Sequence, residues 1–366
     1  MARLILLITW FSIHTAFAQE VTLLFAGDAM QHQSQIDNAF RNNTYDYTTY
    51  FQYIKNEVSS ADLAIVNLEV TLAGKPYKGY PQFSAPDEYA SALKEAGFDV
   101  FLNANNHIVD RGNQGIIRTL SVLDSLDVDH TGVFRNKEER EQIYPLMLER
   151  ENMHFAFLNY TYGTNGLNVL PPVLVNYIDK EQILEDIQKA KNLNADLIIA
   201  NMHWGVEYKL MPNKIQKDLA DFLIKEGVDL VVGAHPHVVQ PSEVLTDSTG
   251  NISHVIVYSL GNMISGMTAP NTNGGQMVKV IVEKQDGKIQ IKSAEYTLIY
   301  SHKAKEKGKL NYTIVPVGPA EKNDSEEKAE IELDTNTYLK MKQFAKNARA
   351  VLDKNNKGVP EYKPLF

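Results

Sequence analysis

Between residue 20 and about residue 260 the chain alternates short apolar runs with stretches of helical period, the pattern of an α/β sheet. "VTLLFAGD" opens as a strand. "SAPDEYASALKEAG" reads as a helix with Ser84 as N-cap and Asp87 three residues on; Tyr89, Ala92, Leu93 and Ala96 share one face, and Gly97 ends it. "NQGIIRTLSVLDSL" repeats the period through Ile116, Leu120 and Leu123. "KEQILEDIQKAKNL" and "NKIQKDLADFLIKEG" follow, the latter stopped at Gly227. Beyond about residue 270 the texture changes. "GGQMVKVIVEKQDGKIQIKSAEYTLIY" is two alternating strands around Asp286-Gly287, a hairpin signal, and "KLNYTIVPV" is a further strand. "AEKNDSEEKAE" reads as a charged, mobile stretch before a helix over roughly 336–353. The division this predicts is a leader over 1–18, a main domain over 19–265, and C-terminal strands and a helix over 266–366 that pack on it.

Five of the apolar runs break into polar residues at their ends. "VTLLFAGD" delivers Asp28; "ADLAIVNLE" delivers Asn67 and Glu69; "FDVFLNANNH" delivers Asn106 and His107; "ADLIIANMHWG" delivers His203; "VDLVVGAHPH" delivers His235 and His237. Four of the five start with a small or apolar residue followed by aspartate. In an open α/β sheet, ligands bind beyond the carboxyl ends of parallel strands, so residues distant in sequence converge there. Two carboxylates, an amide and several imidazoles suit Mn, Fe or Zn better than Mg or Ca. The set is long enough to hold two divalent ions, which in such centres lie about 3.5–4 Å apart around a bridging carboxylate. Glu207, Tyr208 and Gln240 stand close to these ligands and are expected to fix imidazole tautomers, with Asn67 beside them.

Composition narrows the chemistry. Hydrophobic content of 44% and charged content of 22% are ordinary for a packed chain of 366 residues. A formal net charge of -9 gives no basic field for nucleic acid, and an anionic substrate therefore needs local cations. The absence of cysteine excludes disulfides, thiolate metal sites and thiol nucleophiles. G-x-S-x-G, P-loop and G-x-G-x-x-G patterns are missing, and Ser259 in "VIVYSLGN" is the one serine at a comparable strand tip. "MARLILLITWFSIHTAFAQE" has Arg3, a short apolar run and Ala16-Phe17-Ala18, the layout of a secretory signal peptide cleaved near Ala18. A secreted, periplasmic or cell-envelope location is the corresponding expectation.

"LFAGDAM", "ADLAIVNLE", "FDVFLNANNHIVDRG", "NMHWGVEY", "VVGAHPHVVQ" and "VIVYSLGN", in that order over residues 21 to about 265, resemble the CapA family of poly-γ-glutamate capsule biosynthesis, which looks like a branch of the calcineurin-like metallophosphatases. The resemblance implies an α/β four-layer αββα metallophosphatase-like sandwich with a C-terminal hairpin and helix extension. It implies two divalent metal ions on Asp28, Glu69, Asn106, His203, His235 and His237, with Glu69 bridging, and His107 as a catalytic acid that Asp110 orients. Three positions depart from the superfamily pattern. Asp28-Ala29-Met30 lacks the usual histidine, leaving His32 as the nearest substitute; the bridging residue is glutamate; and Ile108 stands where an acid commonly follows the catalytic histidine. The implied activity is metal-dependent hydrolysis of the phosphoesterase-like kind, with phosphoester, amide and glycan-ester substrates all open. The alternative is a non-catalytic module that grips an anionic polymer such as poly-γ-glutamate for export, working with membrane-bound capsule-assembly proteins. A scaffold that has lost its metal is a third option.

Overall fold

The computed structural model describes residues 19–285, 287–306, 309–321, 331 and 333–366. The leader over 1–18, Asp286 at the hairpin turn and nearly all of the charged 320–330 stretch lie outside the described residues. Fourteen strands form one sheet. They are β1 (Gln19–Ala29), β2 (Leu63–Leu68), β3 (Val100–Leu102), β4 (Asp129–Thr131), β5 (Leu146–Arg150), β6 (Met153–Thr161), β7 (Leu197–His203), β8 (Leu230–Ala234), β9 (Ser242–Thr246), β10 (Ile252–Val257), β11 (Asn262–Ile264), β12 (Gly274–Gln285), β13 (Lys288–Glu306) and β14 (Lys309–Pro316). The order is β4-β3-β2-β1-β12-β13-β10-β8-β7-β6-β5, with β9 on β10, β11 on β1 and β14 on β13.

Two parallel runs, β4-β3-β2-β1 and β10-β8-β7-β6, are joined by the antiparallel hairpin β12–β13. The alternation of side chains turns this into layers. Val21, Leu23 and Phe25 of β1 share one buried cluster with Phe155 and Phe157 of β6 and Ile199 of β7, so the two halves face each other. The alternate residues face outward. Leu24, Ala26, Ala64 and Val66 lie under Tyr89 and Leu93 of α1 (Asp87–Glu95) and Leu123 of α2 (Gly112–Ser125). Leu158, Tyr160, Ile198 and Ala200 lie under Ile183 and Ile187 of α3 (Lys180–Asn192) and Leu219 and Leu223 of α4 (Lys214–Lys225). The expected α/β sandwich, helices outside and two sheet halves inside, is what these contacts build.

The C-terminal strands, expected to pack on the main domain, pair within its sheet. β12 pairs with β1 from Gln19↔Lys284 to Phe25↔Val278, and β13 pairs with β12 and touches β10 at Ile252↔Ile291. They are the middle of the sheet. Gly274 to Val278 are buried at every position, including both faces, as an interior strand requires. α5 (Thr335–Asn355) then lays Met341, Phe344, Ala345, Ala348 and Leu352, a helical stripe, on the inner cluster.

Two local expectations meet the structure differently. Gly97 does end α1, in the left-handed region at φ 107. Ser84, however, is not its cap: the helix starts at Asp87 with Pro86 at the N-cap, and the Ser84 hydroxyl donates to the Gly74 carbonyl at 2.7 Å. The proline fixes φ ahead of the helix, and the hydroxyl serves the preceding loop.

The repeated strand-opening aspartates have one common role. Asp62, Asp99, Asp196 and Asp229 each accept the backbone N–H of a neighbouring parallel strand, from Thr22, Ala64, His154 and Ile198, at 2.7, 2.8, 2.8 and 2.8 Å. Each also donates its own N–H to the carbonyl of that same residue. They clamp the register at the end of the sheet opposite the polar tips, which sets where the tips finish.

Candidate metal centre

Two glycines let the tips come together. An added Cβ on Gly27 would lie 1.9 Å from the Gly261 carbonyl oxygen, and one on Gly233 would lie 2.1 Å from that of Tyr258. The segment 258–262 thus crosses directly over β1 and β8, and the Asp28 N–H donates to the Gly261 carbonyl at 3.0 Å. This crossing brings the Asp28 tip beside the histidine pair that follows β8.

Asp28 is fully buried and its carboxylate is surrounded by donors. Asn67 Nδ2 donates to Oδ1 at 2.7 Å; the His235 N–H donates to Oδ2 at 3.2 Å; His237 Nδ1 lies 3.1 Å from Oδ2. Burial alone would raise this carboxyl, but the His237 hydrogen bond and charge, with His203 and Asn67, hold it well below the usual carboxylate range. Glu69 is the opposite case. It is fully buried and neither of its oxygens has a hydrogen-bond partner. Burial, together with the adjacent Asp28 charge, pushes its carboxyl well above the ordinary value.

Three imidazoles stand around these acids. His203 Nε2 and His237 Nε2 lie 3.7 and 3.8 Å from Glu69 Oε1. Burial holds His203 well below its ordinary value and lowers His235 to about 3, so both are neutral imidazoles. His235 Nδ1 is buried without a partner. Two groups of three therefore bring one ligand atom from each residue within 4.8 Å of the others: Asp28, Glu69 and His203, and Glu69, His235 and His237. Glu69 belongs to both. A buried, unpartnered carboxylate common to two clusters of imidazole and carboxylate is a donor set that fits divalent metal.

Asn106 reaches the same place, its Oδ1 2.8 Å from His203 Nε2 and its Nδ2 donating to Asn165 Oδ1 at 3.2 Å. The polar stretch from Asn103 onward is a tight turn rather than a continued strand: β3 stops at Leu102, and the N–H groups of Asn105, Ile108 and Asp110 donate to the carbonyls of Asn103, Asn105 and His107. That turn sets His107 Nδ1 2.8 Å from Asp110 Oδ2. The intervening Ile108 is buried in a small apolar cluster with Ile116 and Leu120. Asp110 thus meets His107 from three positions on, one helical turn away.

The remaining expected residues divide. Asn67 touches both Asp28 and His203 Nδ1, the latter at 3.3 Å. Glu207 is half-buried and its charge acts on Glu69, Tyr162 and Tyr208. Tyr208, at φ 65, donates its N–H to the Pro236 carbonyl at 2.8 Å. Gln240 corrects its expected role: it accepts from Gln216 Nε2 at 2.9 Å and donates to the Lys209 carbonyl at 2.8 Å, so it braces the loop after β7 instead of an imidazole. His32, the expected stand-in for the missing histidine, belongs to neither ligand group. Its Nδ1 accepts the Gly266 N–H at 3.1 Å and its ring meets Phe83 edge-on at 5.3 Å.

Three residues the sequence reading left without a role complete the site. Asn262 Oδ1 lies 3.0 Å from His237 Nδ1 while its Nδ2 donates to the Thr272 carbonyl; this pins the tautomer and turns Nε2 toward Glu69. Phe83 donates its N–H to Asp110 Oδ2 at 2.7 Å and sets its ring edge-on to His107 at 4.6 Å. Tyr162, one residue past β6, lies 4.5 Å from the His235 ring and stacks at 10° on His203 at 6.3 Å.

The family model of the bacterial capsule synthesis protein PGA_cap matches residues 22–267. Capsule biosynthesis protein CapA of Bacillus anthracis is 30% identical over 277 residues, covering 71% of this chain and 64% of that protein. PGA biosynthesis protein CapA of Bacillus subtilis (strain 168) is 29% identical over 245 residues, covering 64% of this chain and 61% of that protein. The chain therefore spans less than two thirds of the length of both relatives. Among solved structures, the calcineurin-like phosphoesterase YfkN from Bacillus subtilis aligns with a TM-score of 0.47 at 14% identity, over 90% of this chain and 98% of that one. Haemophilus influenzae NAD nucleotidase (NadN) aligns with a TM-score of 0.49 at 12% identity, over 95% and 65%.

Proposed function

The chain belongs to the bacterial capsule synthesis protein PGA_cap family, and from that premise we propose that it is an exported, metal-dependent hydrolase of the phosphoesterase type serving cell-surface polymer (poly-γ-glutamate capsule) biosynthesis. The observation that carries the reading is Glu69: a carboxylate with no exposure and no hydrogen-bond partner, common to both clusters of candidate ligands. Asp28, Glu69, Asn106, His203, His235 and His237 would hold two divalent ions of the Mn, Fe or Zn kind. When bound, such ions supply Lewis-acid polarisation of an anionic ester and make water a competent nucleophile at neutral pH.

The chain's own residues do the rest. Asn262 fixes His237 so that Nε2 faces inward, and Asn67 holds the Asp28 carboxylate in place. Asp110 holds His107 Nδ1, which leaves Nε2 to give a proton to the departing alkoxide as water adds to phosphorus and the P–O bond breaks; the water's proton is shed from the new phosphate to solvent, which restores His107. Phe83 keeps Asp110 aimed, through its N–H. This buried His107–Asp110 pair is what favours an enzyme over a module that only binds polymer, because binding needs no proton donor. The test is elemental analysis of purified protein, with a chromogenic phosphodiester and phosphomonoester panel run in Mn, Zn and Fe. Stoichiometric metal with metal-dependent turnover is the expected result. Metal with polymer binding and no turnover on any ester would return the reading to the binding module.

A further inference from the structure

The mouth of the centre is lined with tyrosine. Tyr162 and Tyr208 are 47% and 46% exposed, values high for rings that lie against buried histidines. Tyr162 covers His235 at 4.5 Å and His203 at 6.3 Å; Tyr208 lies 6.3 Å from His237. The two rings thus flank the centre by way of different ligands. Both are tied to the ligand strands through backbone: the Tyr162 N–H donates to the His203 carbonyl at 3.0 Å, and the Tyr208 N–H to the Pro236 carbonyl at 2.8 Å. Tyr208 holds φ 65, a left-handed conformation uncommon and unfavourable for an aromatic residue. Strain of that kind collects where a side chain is aimed for a purpose.

Next to Tyr208 in the chain stands an acid. Glu207 precedes Tyr208, is half-buried, and together with burial pushes the Tyr208 phenol up to about 12; its charge also acts on Tyr162 and Glu69. A carboxylate at the mouth opposes a long polyanion, as does the net charge of -9. It suits a neutral group that donates hydrogen bonds. Aromatic faces offer contact to the C–H face of a ring, and a carboxylate accepts from hydroxyls. We propose that the substrate is a sugar phosphoester, with its phosphoryl group at the metal centre, its sugar ring against Tyr162 and Tyr208, and its hydroxyls donating to Glu207. This rests on the metal-centre reading of the proposed function and names the substrate class for it.

The test is calorimetric binding to the Mn-loaded full chain, with ligands that cannot be hydrolysed. The probes are methylphosphonate, a C-glucosyl methylphosphonate and a γ-glutamyl hexamer. The glucosyl phosphonate is expected to bind at least tenfold more tightly than methylphosphonate. That ratio should fall below threefold in Tyr162→Ala and in Tyr208→Ala, and persist in Tyr162→Phe and Tyr208→Phe, which keep the ring face. A wild-type ratio near one, a ratio that survives both alanine variants, or tighter binding of the γ-glutamyl hexamer would overturn the sugar assignment alone. If neither phosphonate binds, the anion-at-metal reading falls and the sugar assignment with it.

Discussion

His107 and Glu69 are both buried at the same rim, yet their surroundings assign them different duties. His107 has an acid on one nitrogen and an aromatic edge beside it; Glu69 has no partner on either oxygen. His107→Ala should lower turnover by about 10²–10⁴-fold while metal content by elemental analysis stays at the wild-type level. Lost metal in that variant would make His107 a ligand. Glu69→Gln should behave in the opposite way. Saturating Mn at about a thousandfold over its dissociation constant stabilises a folded chain by about 4 kcal/mol, a rise in melting temperature that the variant should lack. The metal-free variant should melt no lower than the metal-free parent, because burial already disfavours the charged form of the carboxyl it replaces. The ligand types were legible in the sequence because metal chemistry demands Asp, Glu, Asn and His at strand ends. Phe83 was not, because it acts on Asp110 through a backbone N–H that any residue carries. Asn262 and Tyr162 likewise work across long sequence separations, on His237 and His235, with no local pattern to mark them.

At the scale of elements, the aspartate that opens four of the strands is a device of register, and its cost varies with burial. Asp229 is raised to about 6, chiefly by burial, against its hydrogen bond from Ile198. The folded chain therefore keeps this proton over pH 4 to 6 while the unfolded chain has lost it, and stability falls as pH rises through that window. Above it the ionised, buried form costs on the order of 3 kcal/mol. Asp229→Asn keeps an acceptor for the Ile198 N–H, so it should raise the melting temperature at pH 7.5 and leave it unchanged near pH 4. Equal gains at both pH values would assign the effect to packing. The strands and helices themselves were readable because period and turn signals are local. The start of α1 was misplaced by the hydroxyl at Ser84, where Pro86 decides the boundary. The tight turn at Asn103–Asp110 was read as a strand end for a related reason: apolar period shows where a strand runs but not the residue at which its ladder stops.

For the molecule as a whole, the layered α/β plan was legible from the alternation of strands and helices, and from resemblance, whereas the place of the C-terminal third was not. Alternating residues identify a strand and its faces; they do not name its neighbours, and β12 could be placed between β1 and β13 only from three-dimensional pairing. Among the described residues no helix is long and apolar enough to cross a membrane. The central position of β12 and β13 has a consequence for the order in which the chain is made. All six candidate ligands are synthesised by residue 237, but the seam that unites their two half-sheets, residues 274–306, follows them. An emerging chain should therefore hold its donors in separate halves until that seam has followed. A fragment stopped at residue 267, where the family match ends, should carry every donor and retain no stoichiometric metal, as elemental analysis of it beside the full chain would show. If it loads as well as the full chain does, the crossing at 258–262 closes the centre unaided and maturation need not wait for the C-terminus.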